Sequence, residues 1–195
     1  MNAIASVSTT AIGARRQRGF SLIEVSIVTA ILLLLAIIAI PAVGAYVIEN
    51  KVPKVGEELA RFVLQSQINA QPGTNKPYDA ISTAHFANTV LDSGLFSVSG
   101  SGQSLEVLHG LGVDGKVVVS TADQGASFSL TLDNVNHAAC PALASVMQRV
   151  VHTISISGGS GSATPVKSDT LDYSALTAEA ACIKGDSNTF VFTAS

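Results

Sequence analysis

The residues with the clearest chemical potential lie near the amino terminus, in Arg15-Arg16-Gln17-Arg18-Gly19-Phe20-Ser21-Leu22-Ile23-Glu24-Val25. Glu24 stands out, because the 24 residues from Val25 to Ile48 carry no charge at all. A carboxylate at the head of so apolar a helix is costly unless a cation compensates it. A cut after Gly19 would supply that cation by freeing an α-amino group at Phe20, near the same membrane depth. The ammonium of one copy could then pair with Glu24 of another, each offsetting the desolvation cost of the other. The chemistry open to this stretch, given such a cut, is ion pairing between copies.

Elsewhere, reactive side chains are sparse. The chain has two cysteines and four histidines among 195 residues. Cys140 and Cys182, with 41 residues between them, suit a bridge formed in an oxidising compartment, and closing a loop of that size contributes roughly 4 kcal/mol. Two buried free thiols are the alternative. His85, His109, His137 and His152 occur singly, without the i,i+4 pair or His-Glu context of a metal helix, so each reads as an ordinary surface or core histidine. Asp114-Gly115 and Asp133-Asn134 suit turns better than cation sites. The sequence has no Gly-x-Ser-x-Gly elbow, Gly-rich phosphate loop or nucleotide fingerprint. Gly100-Ser101-Gly102 and Gly158-Gly159-Ser160-Gly161-Ser162 read as loops. No enzymatic activity, metal or cofactor is expected.

The elements that position these residues follow from composition. The chain is 47% hydrophobic and 13% charged, about half the usual charged fraction, which excludes a disordered polyelectrolyte. Its positive mean hydropathy is concentrated around Ile31–Ile40. About 20 such residues span a bilayer as a helix. Arg15, Arg16 and Arg18 precede the span without an acid among them, so the positive-inside rule leaves residues 1–19 in the cytoplasm and the body beyond about residue 49 outside. The formal net charge of −3 gives no reason to expect nucleic acid as a partner. It also hides an asymmetry: three of the 11 basic residues lie in segment 1–19, leaving eight against 14 acids and a body at −6.

Helical character should continue past the apolar run. Val52, Val55, Leu59, Phe62 and Val63 fall on one helical face, with Glu57, Glu58, Arg61 and Gln65 on the others. Gln71-Pro72-Gly73 is a strong stop. The spacing predicts one helix from about Phe20 to Ala70, apolar all round in its first half and amphipathic in its second. Pro41 and Pro53 each remove a backbone donor and should bend or loosen it.

The remainder has mixed α and β character. Helices are predicted over Ala80–Leu91, Ala138–Val151 (capped by Asn136, with Pro141 in the first turn) and Leu176–Cys182. Strands are predicted over Ser104–Leu108, Lys116–Ser120, Ser127–Asp133, Thr153–Ser157 and Thr189–Thr193. The expected organisation is a leader at 1–19, an apolar transmembrane or core helix at 20–48, an amphipathic half at 49–71 and an α+β head at 72–195.

Gly19-Phe20-Ser21-Leu22-Ile23-Glu24 behind a basic leader resembles the cleavage site of the type IV pilin family. The resemblance implies a long helix packed on an antiparallel sheet with short helices. It also implies cleavage after Gly19 and N-methylation of Phe20 by prepilin peptidase, with Glu24 in the family's assembly position. Pro41 falls where many pilins carry a helix-loosening proline, and with Gly44 it marks a region that the resemblance implies is stretchable. Members close a carboxy-terminal disulfide-bounded region, here 140–182. The 19-residue leader, the 176-residue remainder, the Cys140-Pro141-Ala142-Leu143 opening and the Asn188-Thr189-Phe190 strand are similar to the type IVb branch, and within it to the PilS-like pilins of thin and conjugative pili. Phe20 is the type IVa choice of first residue.

The expected function is therefore structural: a major pilin that polymerises with itself into a surface filament for adhesion, aggregation or mating contact. Its partners would be prepilin peptidase, the inner membrane before assembly and the pilus assembly machinery, with no nucleic acid. A minor pilin or a type II secretion pseudopilin shares the same signal. A membrane-anchored periplasmic binding module would keep the anchor and make Glu24 dispensable. An ordinary secretory signal cut after Ala45, at Val43-Gly44-Ala45, would leave Glu24 unexplained.

Overall fold

The computed structural model describes residues 19–195; Arg15, Arg16 and Arg18 lie outside the described residues. The chain divides into two compact units, one ending at Pro41 and the other running from Ala42 to Ser195. Helix α1 (Leu22–Ile68) contributes to both.

The part of α1 in the first unit is apolar on every side. Leu22, Ile31, Leu33, Ile37 and Ile40 are all exposed. Its few hydroxyls are turned back on the helix: Ser26 Oγ donates to the Ile23 carbonyl at 2.9 Å and Thr29 Oγ1 to the Val25 carbonyl at 3.0 Å. Such back-bonding leaves no unpaired side-chain donor on the helix surface. The helix is long and apolar enough to cross a membrane.

The second unit is an α+β head built around the later turns of α1. Val52, Val55, Leu59, Phe62 and Val63 are all buried, as the 3.6-residue period requires of a helix laid on a sheet. The sheet has five antiparallel strands: β3 (Val117–Ala122), β4 (Ser127–Val135), β5 (Thr153–Gly158), β6 (Thr164–Lys167) and β7 (Asn188–Ala194), in the order β3-β4-β7-β5-β6. A separate two-stranded ribbon pairs β1 (Ser97–Ser99) with β2 (Glu106–Leu108). Three shorter helices complete the head: α2 (Thr83–Val90), α3 (Cys140–Met147) and α4 (Ala175–Ala180).

Phe128, Leu130 and Leu132 on β4 and Phe190 and Phe192 on β7 bury the alternating face of the central strands. Phe62 of α1 meets Phe86 of α2 edge-to-face at 5.1 Å between centroids and Phe128 of β4 at 6.4 Å, tying helix, helix and sheet together. Thr83 protects the β3 edge: its hydroxyl accepts from the Val119 N–H at 3.0 Å and donates to the Val119 carbonyl at 3.3 Å.

Several elements depart from the sequence expectation. The second helix begins at Thr83 behind Ser82 and ends at Val90, shorter than the expected Ala80–Leu91. The third stops at Met147 instead of Val151. Lys167 Nζ donates to the carbonyls of Gln148 and Val151, so a distant side chain satisfies the chain end that further helix would have covered. The fourth ends at Ala180, leaving Cys182 two residues past it. Asp133-Asn134 is a bulge inside β4 rather than a turn, with Asn134 at φ 48° and the register against β7 shifting between Leu132 and Val135. Position 158 belongs to β5 and not to the following loop. The helix runs without a break through positions 41, 44 and 53.

Candidate functional site

The first unit places Gly19, Phe20 and Ser21 outside the helix, with Leu22 as its first residue. The Gly19–Phe20 peptide bond is therefore not held in the helical ladder, and Phe20 is 85% exposed. Glu24 sits in the first turn, where Oε2 accepts the Ser21 backbone N–H at 2.9 Å. This is half of a capping box: a serine just before the helix and a glutamate three residues on, satisfying a donor that the helix start would otherwise orphan. The Ser21-x-x-Glu24 spacing carries that signal, in addition to the ammonium pairing expected of Glu24. Within one chain the carboxylate already has a neutral donor and favours the positive end of the helix dipole.

In the second unit, the sulfurs of Cys140 and Cys182 are bonded, with Cα atoms 6.5 Å apart. Cys140 opens α3 and is buried in the core. The bridge bounds a region holding α3, β5, β6 and α4. Polar side chains hold its margins. Asn136 Oδ1 accepts from the Ala138 N–H at 2.8 Å, and its Nδ2 donates to Asp186. The other oxygen of Asp186 accepts the Val113 N–H at 2.8 Å. Asn188, fully buried, accepts from the Ile183 N–H at 2.8 Å and donates to the carbonyls of Val135 at 3.0 Å and Ile183 at 2.9 Å. Tyr173 hydroxyl bonds Ser145 Oγ at 2.8 Å and the Pro141 carbonyl at 3.1 Å, fixing the approach to α4 against α3. Asp186 and Tyr173 carried no signal in the sequence, because their partners lie 28 to 73 residues away.

The histidines are not brought together, and among the described residues no three His, Cys, Asp or Glu side chains form a group able to hold a metal. His85 and His152 are exposed, whereas His109 is fully buried. His109 Nδ1 accepts the Leu111 N–H at 3.0 Å, which places the ring proton on Nε2, donating to the Asp133 carbonyl at 2.8 Å. Burial pushes its pKa below the ordinary histidine value, against a smaller upward pull from Asp133. The ring thus pins the β2–β3 connection to the β4 bulge as a neutral group. Lys116 is raised by its hydrogen bond to Glu106, at 2.6 Å, on the open surface. It is a solvated pair of small energetic weight.

The comparisons with known proteins fall on these two regions. Residues 14–40 match the prokaryotic N-terminal methylation motif, which spans Gly19, Phe20, Glu24 and the apolar turns. Residues 112–195 match the family described as PilS N terminal, which takes in β3 to β7 and the bridged region. No curated protein matches the chain. Both matched regions point to the same class, and over them the chain is similar to the type IV pilins. Within that class the head, over residues 112–195, is similar to the PilS-like, type IVb pilins. The family is structural rather than enzymatic.

Proposed function

We propose that this chain is the major subunit of a type IVb pilus, a structural protein without catalytic activity, cofactor or nucleic-acid partner. The observation that carries the reading is the coincidence of three features: the methylation motif at 14–40, a Gly19–Phe20 bond outside the helix, and an apolar helix with its side chains exposed. Prepilin peptidase cuts after Gly19 and methylates the amine of Phe20. Until then the precursor is a single-pass inner-membrane protein with its head in the periplasm. The assembly machinery then draws the apolar helix from lipid into a filament core, where other copies replace lipid around it.

Glu24 sets the register of that step. In the single chain it holds the neutral Ser21 N–H. In the filament it meets the charged amine of a neighbour's Phe20, and a charge-assisted bond is roughly twice as strong as a neutral one. A homopolymer with a head-to-tail, non-closing interface results. Pro41, Gly44 and Pro53 are the positions where the packed helix loosens. The heads, each locked by Cys140–Cys182, face outward for adhesion, aggregation or conjugative contact.

Glu24→Leu tests the assignment. The variant should be exported and cleaved, because the scissile bond is untouched, yet form no filaments on electron micrographs of sheared surface material. Normal piliation in that variant refutes the role given to Glu24. A wild-type filament containing this chain only in trace amounts would make it a minor pilin instead.

A further inference from the structure

The head has a solvent-open depression of about 260 Å³ at the carboxy-terminal turns of α1, walled by the connection to α2 and by α2 itself. That volume lies just under the roughly 300 Å³ at which drug-sized pockets begin, so the space suits a ligand of about one ring. Its lining includes the amides of Gln65, Asn69 and Gln71, the imidazole of His85, and an apolar part made by Phe62 and Ile81. No Asp, Glu, Lys or Arg lines it, on a body that carries 14 acids and eight bases beyond Gly19.

This lining selects by chemistry. A charged ligand finds no counter-ion. A purely apolar ligand leaves amides and an imidazole without partners as it displaces their water. The complement is a neutral molecule with an apolar face and a rim of groups that both donate and accept, because each side-chain amide presents a donor beside an acceptor. A sugar ring has that pattern, with C–H faces and vicinal hydroxyls. The backbone of the connection and the ring of His85 are held in place. Gln71 N–H donates to the Pro77 carbonyl at 3.3 Å and Tyr78 N–H to the Gly125 carbonyl at 3.0 Å, closing the connection. His85 engages Ser82 through Nδ1 at 3.2 Å, which leaves Nε2 as its other polar atom. Groups held in this way reduce the ordering cost of binding.

We propose that this depression binds a single neutral saccharide unit. The inference does not depend on polymerisation. It is tested on the full-length chain in a zwitterionic detergent that contains no sugar. Saturation-transfer NMR is run with methyl glycosides of glucose, galactose, mannose and N-acetylglucosamine, and with glucuronic and N-acetylneuraminic acids as charged controls. At least one neutral glycoside should bind with a Kd on the order of 1 mM, and the charged sugars should not. Asn69→Ala and His85→Ala should each weaken binding roughly tenfold. The near-isosteric Asn69→Asp should weaken it without altering the thermal melt, and Ala80→Trp should fill the space and abolish it. The inference is overturned if no neutral glycoside binds, if the charged sugars bind equally well, or if binding survives Asn69→Asp and Ala80→Trp with the fold intact.

Discussion

Removing the Cys140–Cys182 bridge should lower the stability of the head without changing its structure at room temperature. The two residues are 42 apart in sequence, and closing a loop of that size removes about 13 cal/mol/K of entropy from the unfolded chain, or about 4 kcal/mol at 25 °C. The unit it stabilises, Ala42–Ser195, has an unfolding entropy of about 0.3 kcal/mol/K at typical per-residue values, so the melting temperature should fall by about 12 °C. The native fold should persist, because α4 is also tied to α3 through Tyr173, and the margins are held by Asn136, Asp186 and Asn188. The assay is a near-UV circular dichroism melt of the Cys140→Ala/Cys182→Ala variant beside the oxidised wild type, both in detergent. A fall of less than about 3 °C would refute the loop-entropy argument. So would loss of the near-UV signal at 25 °C, since the bridge would then be holding together a region that its other contacts cannot.

Two further predictions concern the β4 bulge. A methyl group added at Gly112 would lie 1.9 Å from the Asn134 carbonyl oxygen, a backbone atom in the bulge itself. Gly112→Ala should therefore cost about 1–3 kcal/mol or more, read as a lower denaturant midpoint at unchanged m-value. His109 makes stability depend on pH with a defined sign. Its pKa is depressed in the fold, so below the unfolded value near 6.5 the unfolded chain binds a proton that the native one refuses. Stability should fall as pH drops from about 6.5 towards the lower folded value, by up to about 1.4 kcal/mol per pH unit. A His109→Gln variant should lack that component of the slope in denaturant titrations between these limits, and an unchanged slope would remove His109 as its source.

Local pattern made the long elements legible. A stripe at helical spacing from Val52 to Val63 and the alternation of Phe128, Leu130 and Leu132 on β4 are both consequences of one-sided burial, and each of these residues is buried. The elements that went unread are those set by distant partners. β1 is three residues long and exists through its pairing with β2. β6 contains Pro165, tolerable because the strand lies at the sheet's edge, and it carries Lys167 to the end of α3. Asp133-Asn134 has the composition of a turn, yet β7 pairs on both sides of it, so the two residues bulge rather than reverse the chain. At the amino terminus the charge pattern identified Glu24, and the capping geometry was readable from Ser21 as well. Only the coordinates tie that serine's N–H to the carboxylate.

The central claim is that this chain is a precursor cut at one bond and then assembled. Intact mass and amino-terminal sequencing of protein from sheared surface filaments test it most directly. The account predicts a chain that begins at N-methylated Phe20 and retains the Cys140–Cys182 disulfide. A chain beginning after Ala45, or one still carrying Arg15, Arg16 and Arg18, would contradict it.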